Sequence, residues 1–177
     1  MGLALRRIAA WLIDWACIVG WVAVTALIGV PLYIKGVIVP GGLIVLNVIA
    51  GLVVVVPVVL AAAVCESSAR GATPGKRALR LRVRHGGTGP GFGRALARNV
   101  LKIGIPWLIG HAAVYELSAA PSSGEPVPVA AWALTVAAYV LPIVYLACLF
   151  LPSGRTPYDR IAGTAVAGPG SGLRPER

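Results

Sequence analysis

Ile8-Ala-Ala-Trp-Leu-Ile-Asp14-Trp-Ala-Cys-Ile-Val-Gly-Trp-Val-Ala-Val-Thr-Ala-Leu-Ile-Gly-Val30 is the stretch whose reading decides the fold. Its 23 residues hold a single charge. At 1.5 Å per residue, a helix of this length crosses the hydrocarbon core of a bilayer. A carboxyl inside such a helix costs roughly 2.5–3.5 kcal/mol at its centre and less near an interface. Arg7 precedes Asp14 by seven residues, and seven steps of 100° return to nearly the same helix face. An arginine at the membrane edge and an acid below it on one stripe are therefore the sharpest feature of the chain.

Composition agrees with a membrane protein. Of 177 residues, 58% are hydrophobic and only 12% charged, against about a quarter charged in a soluble domain. The length predicts one domain, residues 1–167, with a disordered tail over 168–177. Cys17, Cys65 and Cys148 are odd in number and distant in sequence, so they suggest neither a disulfide framework nor a zinc site. The first apolar run is too long for a cleavable leader and has no small-residue cleavage site.

Four segments are long enough to span: 8–30, 43–64, 100–117 and 129–151. Pro57 and Pro142 each remove a backbone hydrogen bond from a span and predict a kink. Of the 16 Lys and Arg residues, 14 fall before the first span, between the second and third, or after the fourth, and Lys102 lies in the first turn of the third span on that same side; only Lys35 lies on the other side. The positive-inside rule then places both termini and the loop 66–99 in the cytoplasm. The expected fold class is an all-α membrane protein of four transmembrane helices, with a short cytoplasmic amphipathic helix and a small β ribbon. Thr73 and Pro74 read as the start of a short helix. The run from Leu79 to Arg84 alternates as a strand does, and residues 164–167 are its expected partner. Arg94, Arg98 and Lys102 recur every four residues, which predicts a cationic stripe facing anionic lipid headgroups.

Several chemistries find no support. Gly71-Ala-Thr-Pro-Gly75-Lys76-Arg77 has three residues between its glycines where a phosphate loop has four, and Arg77 stands where Ser or Thr would hold magnesium. With two His and no paired carboxylates or metal-ligand spacing, no catalytic set, metal site or cofactor is expected, and the chain reads as no enzyme. His111 and Glu116 lie about 140° apart on one helix, which suits an interfacial pair better than a proton relay. Basic residues beside spans are what orientation alone demands, and with only Phe92 interleaved the expected partner is lipid, not nucleic acid. No internal repeat or pair of broken helices is evident.

Four ordered blocks resemble the RDD family of bacterial membrane proteins. They are Arg7-Ile-Ala-Ala10-Trp-Leu-Ile13-Asp14, the loop Thr73-Pro74-Gly75-Lys76-Arg77 with its following strand, the basic Arg94-Ala-Leu-Ala-Arg98-Asn99, and Tyr158-Asp159-Arg160-Ile-Ala162-Gly163-Thr164. In the last block Tyr158 stands where the family usually has His. The resemblance implies a multi-pass protein of the bacterial inner membrane with an Arg/Asp/Asp core. It also implies a transport-related role, either cation/proton exchange or movement of an unidentified small ligand. The alternative is a non-transporting scaffold or accessory subunit that binds anionic lipid and a protein partner. A four-span bundle is small, so transport implies a homo-oligomer or a membrane-protein partner.

The matched residues predict a polar cluster at the inner mouth of the bundle. Asp159 is expected to pair with Arg7 or Lys76, and Arg160 or a water to reach towards Asp14. Whether Asp14 locks the helices or couples an ion is open at this level.

Overall fold

The computed structural model describes residues 2–39, 43–123 and 126–169. Among the described residues, four helices are long and apolar enough to cross a membrane: Leu3–Ile34, Asn47–Ser67, Phe92–Ser118 and Val129–Cys148. Helix α1 is Leu3–Ile34. The second span consists of α2 (Leu43–Ala50), a π-helical turn at Gly51–Val55 and α3 (Val56–Ser67). The third consists of α5 (Phe92–Asn99), a π turn at Val100–Gly104 and α6 (Ile105–Ser123). The fourth is α7 (Val129–Cys148). The amphipathic helix expected from the basic loop is thus the first two turns of the third span and not a separate element. Most of the expected tail, from residue 170 on, lies outside the described residues.

Both π turns end two residues before a proline. Proline has no N–H, and its ring excludes the carbonyl four residues back. For Pro57 that carbonyl belongs to Val53, and the Trp21 indole N–H of α1 donates to it at 3.1 Å. In the third span the Leu101 carbonyl, five residues before Pro106, accepts from the Tyr145 hydroxyl of α7 at 3.0 Å. Backbone groups released by the prolines thereby cross-link neighbouring helices, as a lipid environment requires.

Many large apolar side chains along the spans point outward, among them Leu27 (76% exposed) and Val129 (84%), while small ones such as Ala63 and Ala131 are buried. The densest packing sits instead at the charged end of the bundle. There two short helices, α4 (Pro74–Ala78) and α8 (Pro157–Ile161), lead into strands β1 (Arg82–Arg84) and β2 (Ala165–Ala167). The strands form a two-stranded antiparallel sheet, with Val83 paired to Val166. The expected strand start at Leu79 is displaced because Arg80 takes φ +57°, closing α4 before the chain extends.

α4 and α8 are copies of one device, 83 positions apart. Gly71-Ala-Thr-Pro-Gly-Lys-Arg77 corresponds to Gly154-Arg-Thr-Pro-Tyr-Asp-Arg160. Gly71 (φ +59°) and Gly154 (φ +56°) both sit in left-handed turns, donating their N–H to Ser68 and Leu151 at 2.8 Å. Each helix ends in a Schellman motif around a left-handed residue. Leu81 N–H donates to Lys76 O (2.7 Å) after Arg80, and Thr164 N–H donates to Asp159 O (2.8 Å) after Gly163. Val83 and Val166 are themselves 83 apart, so the local two-fold relation of the ribbon passes through their pair. The repeat is not evident from the sequence, because a match of seven residues is too short to register as hydropathy symmetry.

Candidate functional site

The two short helices place their third residues, Lys76 and Asp159, on either side of a buried carboxylate, Glu66, at the end of α3. Glu66 is 0% exposed. A charge taken wholly out of water must be paired and hydrogen-bonded. Lys76 Nζ donates to Oε1 at 2.7 Å, Arg98 Nη1 to both oxygens at 2.6 and 2.7 Å, and Asn99 Nδ2 to Oε2 at 2.9 Å.

Arg98 extends this pairing to α8, with Nε donating to Asp159 Oδ1 at 2.8 Å. Arg7 Nη2 donates to Asp159 Oδ2 at 2.6 Å, and its other terminal nitrogen to the Gly154 carbonyl. The Thr156 hydroxyl completes that carboxylate at 2.8 Å. Burial pushes the Asp159 carboxyl up, but the Arg98 and Arg7 guanidiniums outweigh it and hold it well below the usual carboxylate range. The Arg98 guanidinium also lies over the Tyr158 ring, 5.2 Å from its centre, so the tyrosine gives a cation–π face.

On the α4 side the surroundings differ. Asp14 Oδ1 accepts the Gly75 N–H at 2.8 Å, and Oδ2 accepts the Thr73 hydroxyl at 2.7 Å. It thereby caps α4 from another helix, where the positive end of the peptide dipoles favours an anion. Gly75 seats that helix against α1 so closely that a Cβ would stand 2.0 Å from the Ala10 carbonyl oxygen. Lys76 Nζ also approaches the Thr73 hydroxyl at 3.3 Å. Burial draws the Lys76 ammonium down to about 8, with Glu66 acting in the opposite direction.

The contacts close a circuit. From Arg7 it runs through Asp159, Arg98, Glu66, Lys76 and Thr73 to Asp14, and Arg7 and Asp14 share one face of α1. Three acids and three bases balance within it.

The cluster expected at one end of the bundle is therefore present, and Asp159 pairs with Arg7, one of its two expected partners. Arg7 and Asp14, on one face of α1, hold opposite copies of the repeated helix. Three differences stand beside this agreement. The second partner of Asp159 is Arg98, not Lys76. Arg160 is exposed, bonded to the Ser153 hydroxyl at 3.4 Å, and does not approach Asp14. The lipid-facing stripe fails at Arg98, which is 1% exposed. Ala95, Arg98 and Asn99 form a buried face of α5 packed along α3, so spacing by four marks an inward row here, while Arg94 is exposed and Lys102 half-buried. Of the loop residues, Pro74 opens α4, and Arg77 Nε donates to the Ala72 carbonyl at 3.0 Å.

The sequence assigns no role to Glu66, central to the circuit, or to Asn99, which donates to it from outside the circuit. Glu66 ends an apolar run and reads as the first residue of a polar loop. Its signal is the lack of any other acid among the eight Lys and Arg residues of that loop. His111 stacks on Trp107 (5.4 Å) and lies against Tyr115 (6.1 Å), within an aromatic column that Trp15 joins from α1.

No curated protein and no solved structure matches the chain. The model of the RDD family matches residues 1–163, which include every member of the circuit, and the chain belongs to the RDD family.

Proposed function

We propose that the protein is transport-related, exchanging a cation for a proton, with Asp14 as the carboxyl that meets the cation. One observation carries this reading. Glu66 and Asp159 are each tied to two cationic side chains, whereas Asp14 among the described residues is held by neutral donors alone and is half-buried. Each of its oxygens keeps a lone pair for a further contact. A cation arriving there places positive charge beside Lys76, whose ammonium sits at about 8 and shares the Thr73 hydroxyl with Asp14. Entry of the cation then favours loss of a proton from Lys76, and the cluster's total charge is unchanged. The excess of Lys and Arg at this end supports a cytoplasmic placement in a bacterial inner membrane.

The test is flux in vesicles reconstituted with the full-length protein, under an imposed sodium or potassium gradient and followed by an interior pH dye. Wild type should move protons against the cation, and Asp14→Asn should abolish the movement. Flux that survives Asp14→Asn removes Asp14 from the mechanism.

A second reading has its own support. Asp14 caps α4 while Gly75 is wedged against the Ala10 carbonyl, which is what a lock for a non-transporting scaffold needs. Absence of flux from wild type with both cations would favour it.

A further inference from the structure

The repeat carries one asymmetry that its backbone does not require. The first copy bears Arg70, Arg82 and Arg84, where the second has Ser153, Ala165 and Ala167. Both copies form the same turn, helix and strand, so the fold has no need of these arginines. Val83 is 0% exposed and points into the core. Arg82 and Arg84, one residue to either side, therefore share the opposite face of β1. The turn that carries Arg70 is held alongside, because Val83 N–H donates to the Gly71 carbonyl at 2.7 Å.

Together with the 89–91 segment these residues enclose a cleft of about 310 Å³. Its far wall is open backbone, since a Cβ at Gly89 or Gly91 would meet nothing within 4 Å. Gly91 is also the N-cap of α5 and supplies no side-chain acceptor to the first turn. Among the described residues neither Arg70 nor Arg82 has an ion-pair partner, and Arg84 reaches only the Gly87 carbonyl, at 3.4 Å. The cleft lies between Ser67, which ends α3, and Phe92, which begins α5. One spanning helix ends there and the basic helix that leads into another begins, which places the cleft at the basic end of the bundle, where lipid phosphates would lie. The Phe92 ring beside it is 46% exposed.

We propose that this cleft binds the phosphate of an anionic phospholipid headgroup. The three guanidiniums supply forked donors matched to phosphate oxygens, and the first turn of α5 adds backbone N–H groups. A soluble phosphate offers the same chemistry; the cleft's place at the basic end of the bundle favours the lipid. The proposal stands independently of transport.

Native mass spectrometry of the full-length protein in detergent tests it, with phosphatidylglycerol, phosphatidylcholine and inorganic phosphate as separate probes. Wild type should retain one phosphatidylglycerol at a concentration at least tenfold below that needed for phosphatidylcholine. R70Q/R82Q/R84Q should lose the preference, R82Q should weaken it several-fold, and R80Q, two residues away but outside the cleft, should keep it. A triple variant that binds as wild type does, or an R80Q variant that loses as much as R82Q, overturns the site. Inorganic phosphate saturating the lipid-free protein at the same concentration overturns the lipid assignment. Thermal unfolding of the triple variant should match wild type, and a large fall would contradict the claim that the fold does not need these arginines.

Discussion

Helices α4 and α8 both start at Thr-Pro, run five residues and close on a left-handed residue, yet their third residues carry opposite charges and meet different surroundings. At α8, Asp159 is 0% exposed and gripped by two guanidiniums. At α4, Lys76 shares Glu66 with Arg98, and the acid beyond it, Asp14, is held among the described residues by a hydroxyl and a backbone N–H. One backbone device has thus been given two electrostatic tasks. The α8 copy closes the bundle with charges that cannot be removed singly, while the α4 copy presents a carboxylate whose charge is separable from the frame.

The largest effect should come from the residue that joins the two copies. Glu66→Ala leaves Arg98 and Lys76 buried without their shared acid, and removing one partner of a buried pair costs about 3–5 kcal/mol. Little folded protein should survive extraction. A variant that extracts and melts as wild type would dissolve the link between the copies.

Acid should attack the α8 copy. The Asp159 carboxyl is held below its unfolded value, near 3.9, so its contribution to stability is fully present above that value and is lost as pH falls towards the folded one. The melting temperature in detergent is expected to stay level between about pH 7 and pH 5 and to drop below about pH 4. A level profile at low pH would mean that Asp159 is not held as described.

A smaller effect separates the copies by shape. Tyr158 occupies in α8 the place that Gly75 occupies in α4, but Gly75 has backbone against it. Gly75→Ala should push α4 off α1 and cost about 1–3 kcal/mol, the usual range for overpacking. Unchanged unfolding would show that the seat on Ala10 has slack.

The sequence and the structure agree where hydropathy alone decides. Four apolar runs give four spans, and the alternation around Val83 gives the strand, because burial repeats with a fixed period in both. The helix start at Thr73–Pro74 is equally plain, since proline at the first helical position is a local signal, but the Thr73 hydroxyl goes to Asp14 and makes no cap bond to α4. Partner choice was harder. Arg98 sits in an i, i+4 row of basic residues, and spacing does not say which face meets lipid and which meets a buried acid on another helix. Glu66 stood at the end of an apolar run, where a lone acid resembles a loop residue. The proline effects at Val53 and Leu101 depend on rings from distant helices. The duplicated Gly-x-Thr-Pro-x-x-Arg shares too few letters to stand out in the sequence, and the pairing of the two strands through Val83 and Val166 is what relates the copies.

The claim that Asp14 is separable from the frame is tested most directly by unfolding Asp14→Asn and Asp159→Asn side by side in one detergent. In Asp14→Asn the amide oxygen still accepts from the Gly75 N–H and the Thr73 hydroxyl can turn to accept, so the loss should be about 1 kcal/mol. Asp159→Asn should lose about 3–5 kcal/mol, because Arg7 and Arg98 are left facing a neutral group. Equal losses, or a larger loss at Asp14, would contradict the account and make Asp14 part of the lock.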